Sequence, residues 1–179
     1  MRERYAWPLI GLHWLTLLLI VAAYVLGTIL EDMTLSPLKL KLYSWHKWVG
    51  LLVLFLLPLR IAFRLADKLD HKRGMTPFEI RASAIVHGLL YLLLIAVPMF
   101  GWLSSSAAGF SVVWFGVLPL PDLVGKDKAL AEVLKELHEG SVNLLVTLIA
   151  LHAAAALYHH HALHDGVLAR MVPWLRKKS

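Results

Sequence analysis

Four apolar runs, each long enough to cross a lipid bilayer, leave this chain few folds to choose from. They are WPLIGLHWLTLLLIVAAYVLGTIL at 7–30, LYSWHKWVGLLVLFLLPLRIAF at 42–63, ASAIVHGLLYLLLIAVPMFGWLSS at 82–105 and a fourth over 136–162. A helix rises about 1.5 Å per residue, so about 20 residues span the hydrocarbon core. Hydrocarbon offers the backbone no hydrogen-bond partner, and isolated runs of this length satisfy their own polar groups only as helices. Of the 179 residues, 59% are hydrophobic and 17% charged, with a mean hydropathy of +0.66. A soluble domain of this length shows a far more polar surface. The expectation is an all-α membrane protein: one domain over 1–179, folded as a four-transmembrane-helix bundle.

The first run is longer than the apolar segment of a signal peptide and lacks a convincing cleavage pattern, so it reads as a permanent span. Eleven Lys and Arg fall at the two ends and between spans two and three, against five in the opposite loops. By the positive-inside rule both termini are expected in the cytoplasm. The longer outer loop, 106–135, is too broken by Gly and Pro for a fifth span and is expected on the outer membrane surface. Trp7, Trp45, Trp48, Trp102 and Trp114 fall near run ends, as in an interfacial aromatic belt. No internal repeat or linker is evident. The formal charge of +6 fits cytoplasmic loops and headgroups better than nucleic acid. With no Cys in the chain, disulfides, iron–sulfur clusters and thiolate ligands are excluded.

Ionisable groups inside a membrane are costly and mark function. His138 and His152 are fourteen residues apart, about 21 Å of rise and nearly four turns, so they share a helix face. Depth along the spans sorts the histidines into two layers: His46 with His138 on the outer side, and His13, His87 and His152 on the inner side. A low-spin b haem takes two opposed imidazoles, and neighbouring helices can supply one each. Small residues beside the histidines suit a macrocycle: Gly11, Gly50, Gly88 and Ala153 to Ala156. Single buried histidines also serve as interhelical hydrogen-bond partners, and Gly and Ala serve ordinary packing; five histidines in two layers favour two haems, with the ligand choice among the inner three left open. His159 to His161 point about 100° apart and cannot all serve one site. They are expected at the interface, meeting headgroups, a haem propionate or a quinone. His71 and His164 are expected to be solvated.

The sequence resembles the bacterial cytochrome b561 family of small dihaem inner-membrane proteins. The resemblance is carried by IGLHWLTLLLIVAAY around His13, WHKWVGLLVL around His46, VHGLLYLLLIAVPMFG around His87 and LKELHEGSVNLLVTLIALHAAAALYHHH, followed by LARMVP. It implies His13 and His152 as axial ligands of the inner haem iron and His46 and His138 of the outer, with His87 left to a propionate or quinone contact or as an alternative ligand. It further implies electron exchange with ubiquinone and, for close relatives, oxidation of superoxide. Lys39, Lys41, Lys47 and Lys135 flank the outer histidines and suit electrostatic steering of that anion; the same lysines also suit propionates or headgroups. Ser104, Ser105 and Ser106 are candidate quinone donors. Two rival readings use the same residues: a haem-bearing anchor linking quinone to a dehydrogenase or hydrogenase, and a metal-ion transporter with histidines along its path.

Overall fold

A computed structural model describes residues 4–67, 69 and 75–175. The expectations resting on Arg2, Lys68, His71, Lys72, Arg73, Arg176, Lys177 and Lys178 lie outside the described residues. Four long helices, α1 (Trp7–Asp32), α2 (Pro37–Ala66), α3 (Pro77–Ala107) and α4 (Lys128–Tyr158), make up most of the structure. All four are long and apolar enough to cross a membrane.

Each helix runs beyond the apolar stretch that announces it, because helix ends are set by polar caps and hydropathy does not see them. Ser36 accepts from the Lys39 amide before α2, and Thr76 and Glu79 form a reciprocal capping box before α3. Asp127 accepts from the Leu130 amide at the start of α4, nine residues before the expected boundary at 136. Proline follows the cap in α1, α2 and α3, where its missing N–H costs nothing.

The helices pack as two hairpins. Contact is dense between α1 and α2 and between α3 and α4, and much sparser from one hairpin to the other. The hairpins meet through an apolar middle in which Val53, Leu57 and Leu94 pack with Ile20 and Tyr91, and Leu93, Leu145 and Leu148 pack with Ile20 and Val97. Ile20, Val53, Leu94 and Leu145 each stand seven residues after a histidine: His13, His46, His87 and His138. Seven residues are two helical turns, about 10 Å. The apolar layer therefore lies midway between the two histidine layers.

At the end that carries both termini, the chain closes on itself. The Tyr5 amide donates to the Arg170 carbonyl, the Ala6 amide to Asp67 Oδ2 at 2.7 Å, and Trp14 Nε1 to the Met171 carbonyl at 3.1 Å. At the other end the α3–α4 loop is more ordered than its Gly and Pro content suggests. It holds a short antiparallel pair, β1 (Val113–Trp114) and β2 (Leu118–Pro119), turning through Phe115 and Gly116, both at positive φ. Trp48 Nε1 donates to the Val113 carbonyl and Trp114 Nε1 to the Trp48 carbonyl, which ties this loop to α2. Two of the belt tryptophans thus hold the fold together with their indole N–H groups.

The triple serine at the end of α3 serves the same loop. Ser104 Oγ donates to the Ala131 carbonyl and Ser105 Oγ to the Phe110 carbonyl. Ser106, only 2% exposed, donates to the Trp102 carbonyl and accepts from the Leu123 amide. The hydroxyl protons read as quinone donors are committed to the backbone. Ser106→Ala removes the acceptor of the Leu123 amide, and a loss of about 1 kcal/mol is expected. A lower thermal midpoint in detergent, larger than for Ser111→Ala on the exposed loop, checks it.

Candidate haem-binding site

The fourteen-residue step seen in α4 recurs in every helix. It joins His13 to Gly27 in α1, His46 to Arg60 in α2, His87 to Gly101 in α3 and His138 to His152 in α4. On antiparallel helices this produces two levels of different chemistry. The level at the loop end holds His46, His138, Gly27 and Gly101. The level at the terminal end holds His13, His87, His152 and Arg60.

At the loop-end level the His46 and His138 rings face each other with centroids 6.1 Å apart. Each ring is fixed in the same way. His46 Nδ1 lies 2.9 Å from the Ala23 carbonyl, and His138 Nδ1 lies 2.8 Å from the Val97 carbonyl. A carbonyl only accepts, so each Nδ1 carries the proton and each Nε2 keeps its lone pair. Four residues beyond each carbonyl comes a glycine that makes room for the ring. A Cβ on Gly27 would meet His46 Cε1 at 3.4 Å, and one on Gly101 would meet His138 at 3.2 Å. These two glycines went unnoticed in the sequence, although the fourteen-residue step from His13 and His87 points to them.

At the terminal-end level the His152 ring is 6.3 Å from His13 and 5.0 Å from His87. The depth argument placed these three together, and the structure does so. His87 Nδ1 approaches the Ser83 carbonyl at 2.7 Å, and the residue is exposed although its ring meets that of His152. His13 is held differently from the other level, because Arg60 Nη2 donates to its Nδ1 at 3.0 Å. Arg60 was legible as a charge within the run LFLLPLRIAF, yet the search for histidines passed over it.

The residues fit a b haem in three respects. Two imidazoles sharing one metal through bonds of about 2 Å have ring centroids about 6 Å apart; the 6.1 and 6.3 Å pairs match this and the 5.0 Å pair is too close. Each matching pair takes one ring from each hairpin, across the sparse seam. A Cβ on Gly11, Gly50, Gly88 or Gly140 would meet no atom within 4 Å outside its own stretch of helix, so the chain leaves open space at these glycines, as a flat macrocycle near the rings would need.

The flanking residues are less concentrated than expected. Lys39 Nζ donates to the Met33 carbonyl, Lys41 lies 5.1 Å over the Trp45 ring and Lys47 6.0 Å over Phe110. Lys135 pairs with Glu139 at 3.6 Å, which offsets its charge. His159 to His161 open a π-helical turn, and there they diverge. His159 turns inward onto Asp165, while His160 and His161 meet edge to face and His161 and His164 are exposed. Asp165 had no motif to reveal it.

Membrane-crossing helices that present opposed imidazoles across a seam define a membrane-embedded b-type cytochrome, an electron-transfer protein. The chain belongs to the prokaryotic cytochrome b561 family, whose profile matches residues 4–174, and is a multi-pass protein of the bacterial inner membrane. It is 32% identical to a Yersinia pestis protein named "Probable superoxide oxidase CybB", covering 97% of this chain and 98% of that one. It is 28% identical to "Cytochrome b561 homolog 1" of Escherichia coli K12, over 96% and 98% of the two chains. It is 31% identical to "Cytochrome b562" of Cereibacter sphaeroides, over 91% of each.

The glycine contacts give a direct test. Gly101→Val drives a branched side chain into His138 and is expected to lower the haem-to-protein ratio measured as pyridine haemochrome. Gly27→Val, with its looser 3.4 Å contact, should lower it less, and Gly125→Ala in the loop should leave it unchanged.

Proposed function

We propose that this protein holds two b haems and passes electrons singly from superoxide in the periplasm to ubiquinone in the membrane. The observation that carries this reading is the pair of imidazole couples at 6.1 and 6.3 Å, one ring from each hairpin in both. His46 and His138 are assigned to the outer haem, and His13 and His152 to the inner one. Their separation along α4, about 21 Å, places the two levels toward opposite faces of the bilayer. When bound, each haem iron supplies a reversible one-electron change between its ferric and ferrous forms.

The chain supplies the rest. The Ala23 and Val97 carbonyls hold the outer imidazoles in the tautomer that ligates through Nε2. The apolar layer of Ile20, Val53, Leu94 and Leu145 keeps water and ions from following the electron. Lys39, Lys41 and Lys47 on the first turns of α2 raise the local concentration of a small anion beside His46. His87, exposed within its span, is assigned in this reading to hydrogen-bond a lipid-soluble quinone. Each superoxide gives one electron and leaves as dioxygen; ubiquinone takes two electrons and two protons.

Two experiments test this. Pyridine haemochrome analysis should find two haems per chain. His46→Ala or His138→Ala should remove one and spare the other, His13→Ala or His152→Ala should show the reverse, and His87→Ala should keep both. One haem per chain, or loss of a low-spin haem in His87→Ala with His13→Ala intact, overturns the assignment. For the substrate, the second-order rate of haem reduction by superoxide should fall as salt shortens the screening length, about 10 Å at 0.1 M. It should fall further when Lys39, Lys41 and Lys47 become Gln, most of all for Lys47, while a neutral quinol shows neither effect. Equal rates at low and high salt, with both haems present, rule out steering.

A further inference from the structure

Arg60 is the one charge in the two levels that the function described so far does not use. It stands fourteen residues after His46 on α2, nearly four turns away on the same face, and therefore at the depth of His13, His87 and His152. Its guanidinium lies 3.0 Å from His13 Nδ1 and 5.5 Å over the Tyr91 ring. Its Nε has no solvent contact and, among the described residues, no hydrogen-bond partner. Among the described residues no carboxylate pairs with it. A cation in the low dielectric of a bundle core acts strongly and over several ångströms.

We infer that Arg60 sets the direction of electron flow by making the inner haem the easier of the two to reduce. This rests on the ligand assignment proposed above. A ferric site carries one more positive charge than a ferrous one, so a fixed cation beside it disfavours the ferric form and raises the reduction potential. The ligands differ in the same sense. At the outer level both imidazoles donate Nδ1–H to a backbone carbonyl, which makes them more basic and favours ferric iron. At the inner level His13 faces a donor where the outer rings face acceptors. Once iron takes Nε2, the proton must sit on Nδ1, and two donors then face each other. An anion resolves that conflict, and a haem carboxylate is one the cofactor brings. In that role Arg60 cancels a negative charge that would otherwise lower the potential.

The outer level has no equivalent. The cation adjoining it, Lys47, is half-buried and lies 6.0 Å over the Phe110 ring, while both outer Nδ1 atoms face carbonyls and not a cation. With both haems bound, the step favoured would be the passage of one electron from the outer site to the inner one. No bond forms or breaks, and the step runs twice for each quinone reduced.

The test is a spectroelectrochemical titration of the purified dihaem protein. His138→Ala, which keeps only the inner haem, identifies the inner wave; if it keeps both haems or loses both, the ligand assignment has failed. With the waves assigned, the inner midpoint of the unaltered protein should lie above the outer one. Arg60→Gln should lower the inner-haem reduction equilibrium at least tenfold, about 59 mV for one electron, and leave the outer wave in place. Arg60→Lys, which keeps the charge, should hold the inner wave above the outer; it also serves if Arg60→Gln fails to load haem. An inner midpoint below the outer in the unaltered protein overturns the inference. So does an Arg60→Gln protein with both haems and no shift, or an Arg60→Lys protein whose inner wave falls to the level of the outer.

Discussion

The bond from His46 Nδ1 to the Ala23 carbonyl, with its counterpart from His138 to Val97, is the contact on which the rest of the site depends. A neutral imidazole in hydrocarbon must place one N–H, and the backbone carbonyls of a membrane helix are already engaged in their own ladder. Each ring therefore shares an acceptor with the ladder. It gets close enough only because a glycine stands one turn further on, Gly27 in one case and Gly101 in the other. The bond fixes the tautomer, the tautomer frees Nε2, and Nε2 points across the seam at the other hairpin's ring. Ring position thus comes from a contact within one hairpin, and the facing pair of imidazoles comes from two.

This arrangement explains why the packing is uneven. Tight contact within α1–α2 and within α3–α4 seats the imidazoles, whereas looser contact between hairpins leaves space for a macrocycle. The hairpins meet firmly only in the apolar layer, two turns from either level. That layer keeps the two levels apart while staying thin enough for an electron. The loop from α3 to α4 belongs to the same scheme. Trp48 and Trp114 exchange hydrogen bonds across it, and Ser106 fastens it from below, so it stays attached to α2 just beyond His46.

The two levels are chemically unlike. Neutral carbonyls face the rings at the loop end, and a guanidinium faces one at the terminal end. In water such differences would be modest, but in a bundle core they are screened less. Two levels that both present facing imidazoles thus differ through the groups behind those rings.

Much of this was legible in the sequence because it is periodic. Hydropathy over about 20 residues showed the four spans, and the helical pitch sorted His13, His46, His87, His138 and His152 by depth. Both signals are properties of one helix read alone, so they survive without knowledge of its neighbours. The same step from His13, His46 and His87 also reached Gly27, Arg60 and Gly101, which a search for ligands alone overlooked. What depth could not say is which rings meet. His87 and His13 lie at one level with His152, and only packing puts one at 6.3 Å and the other at 5.0 Å. Nor could the sequence show that Ser104 and Ser105 spend their protons on backbone carbonyls of α4 and the loop, or that Asp165 folds back onto His159. Depth follows from the rise along one helix, whereas partner choice depends on how far each helix is rotated and shifted against its neighbours. That is decided by side-chain packing between segments far apart in the chain.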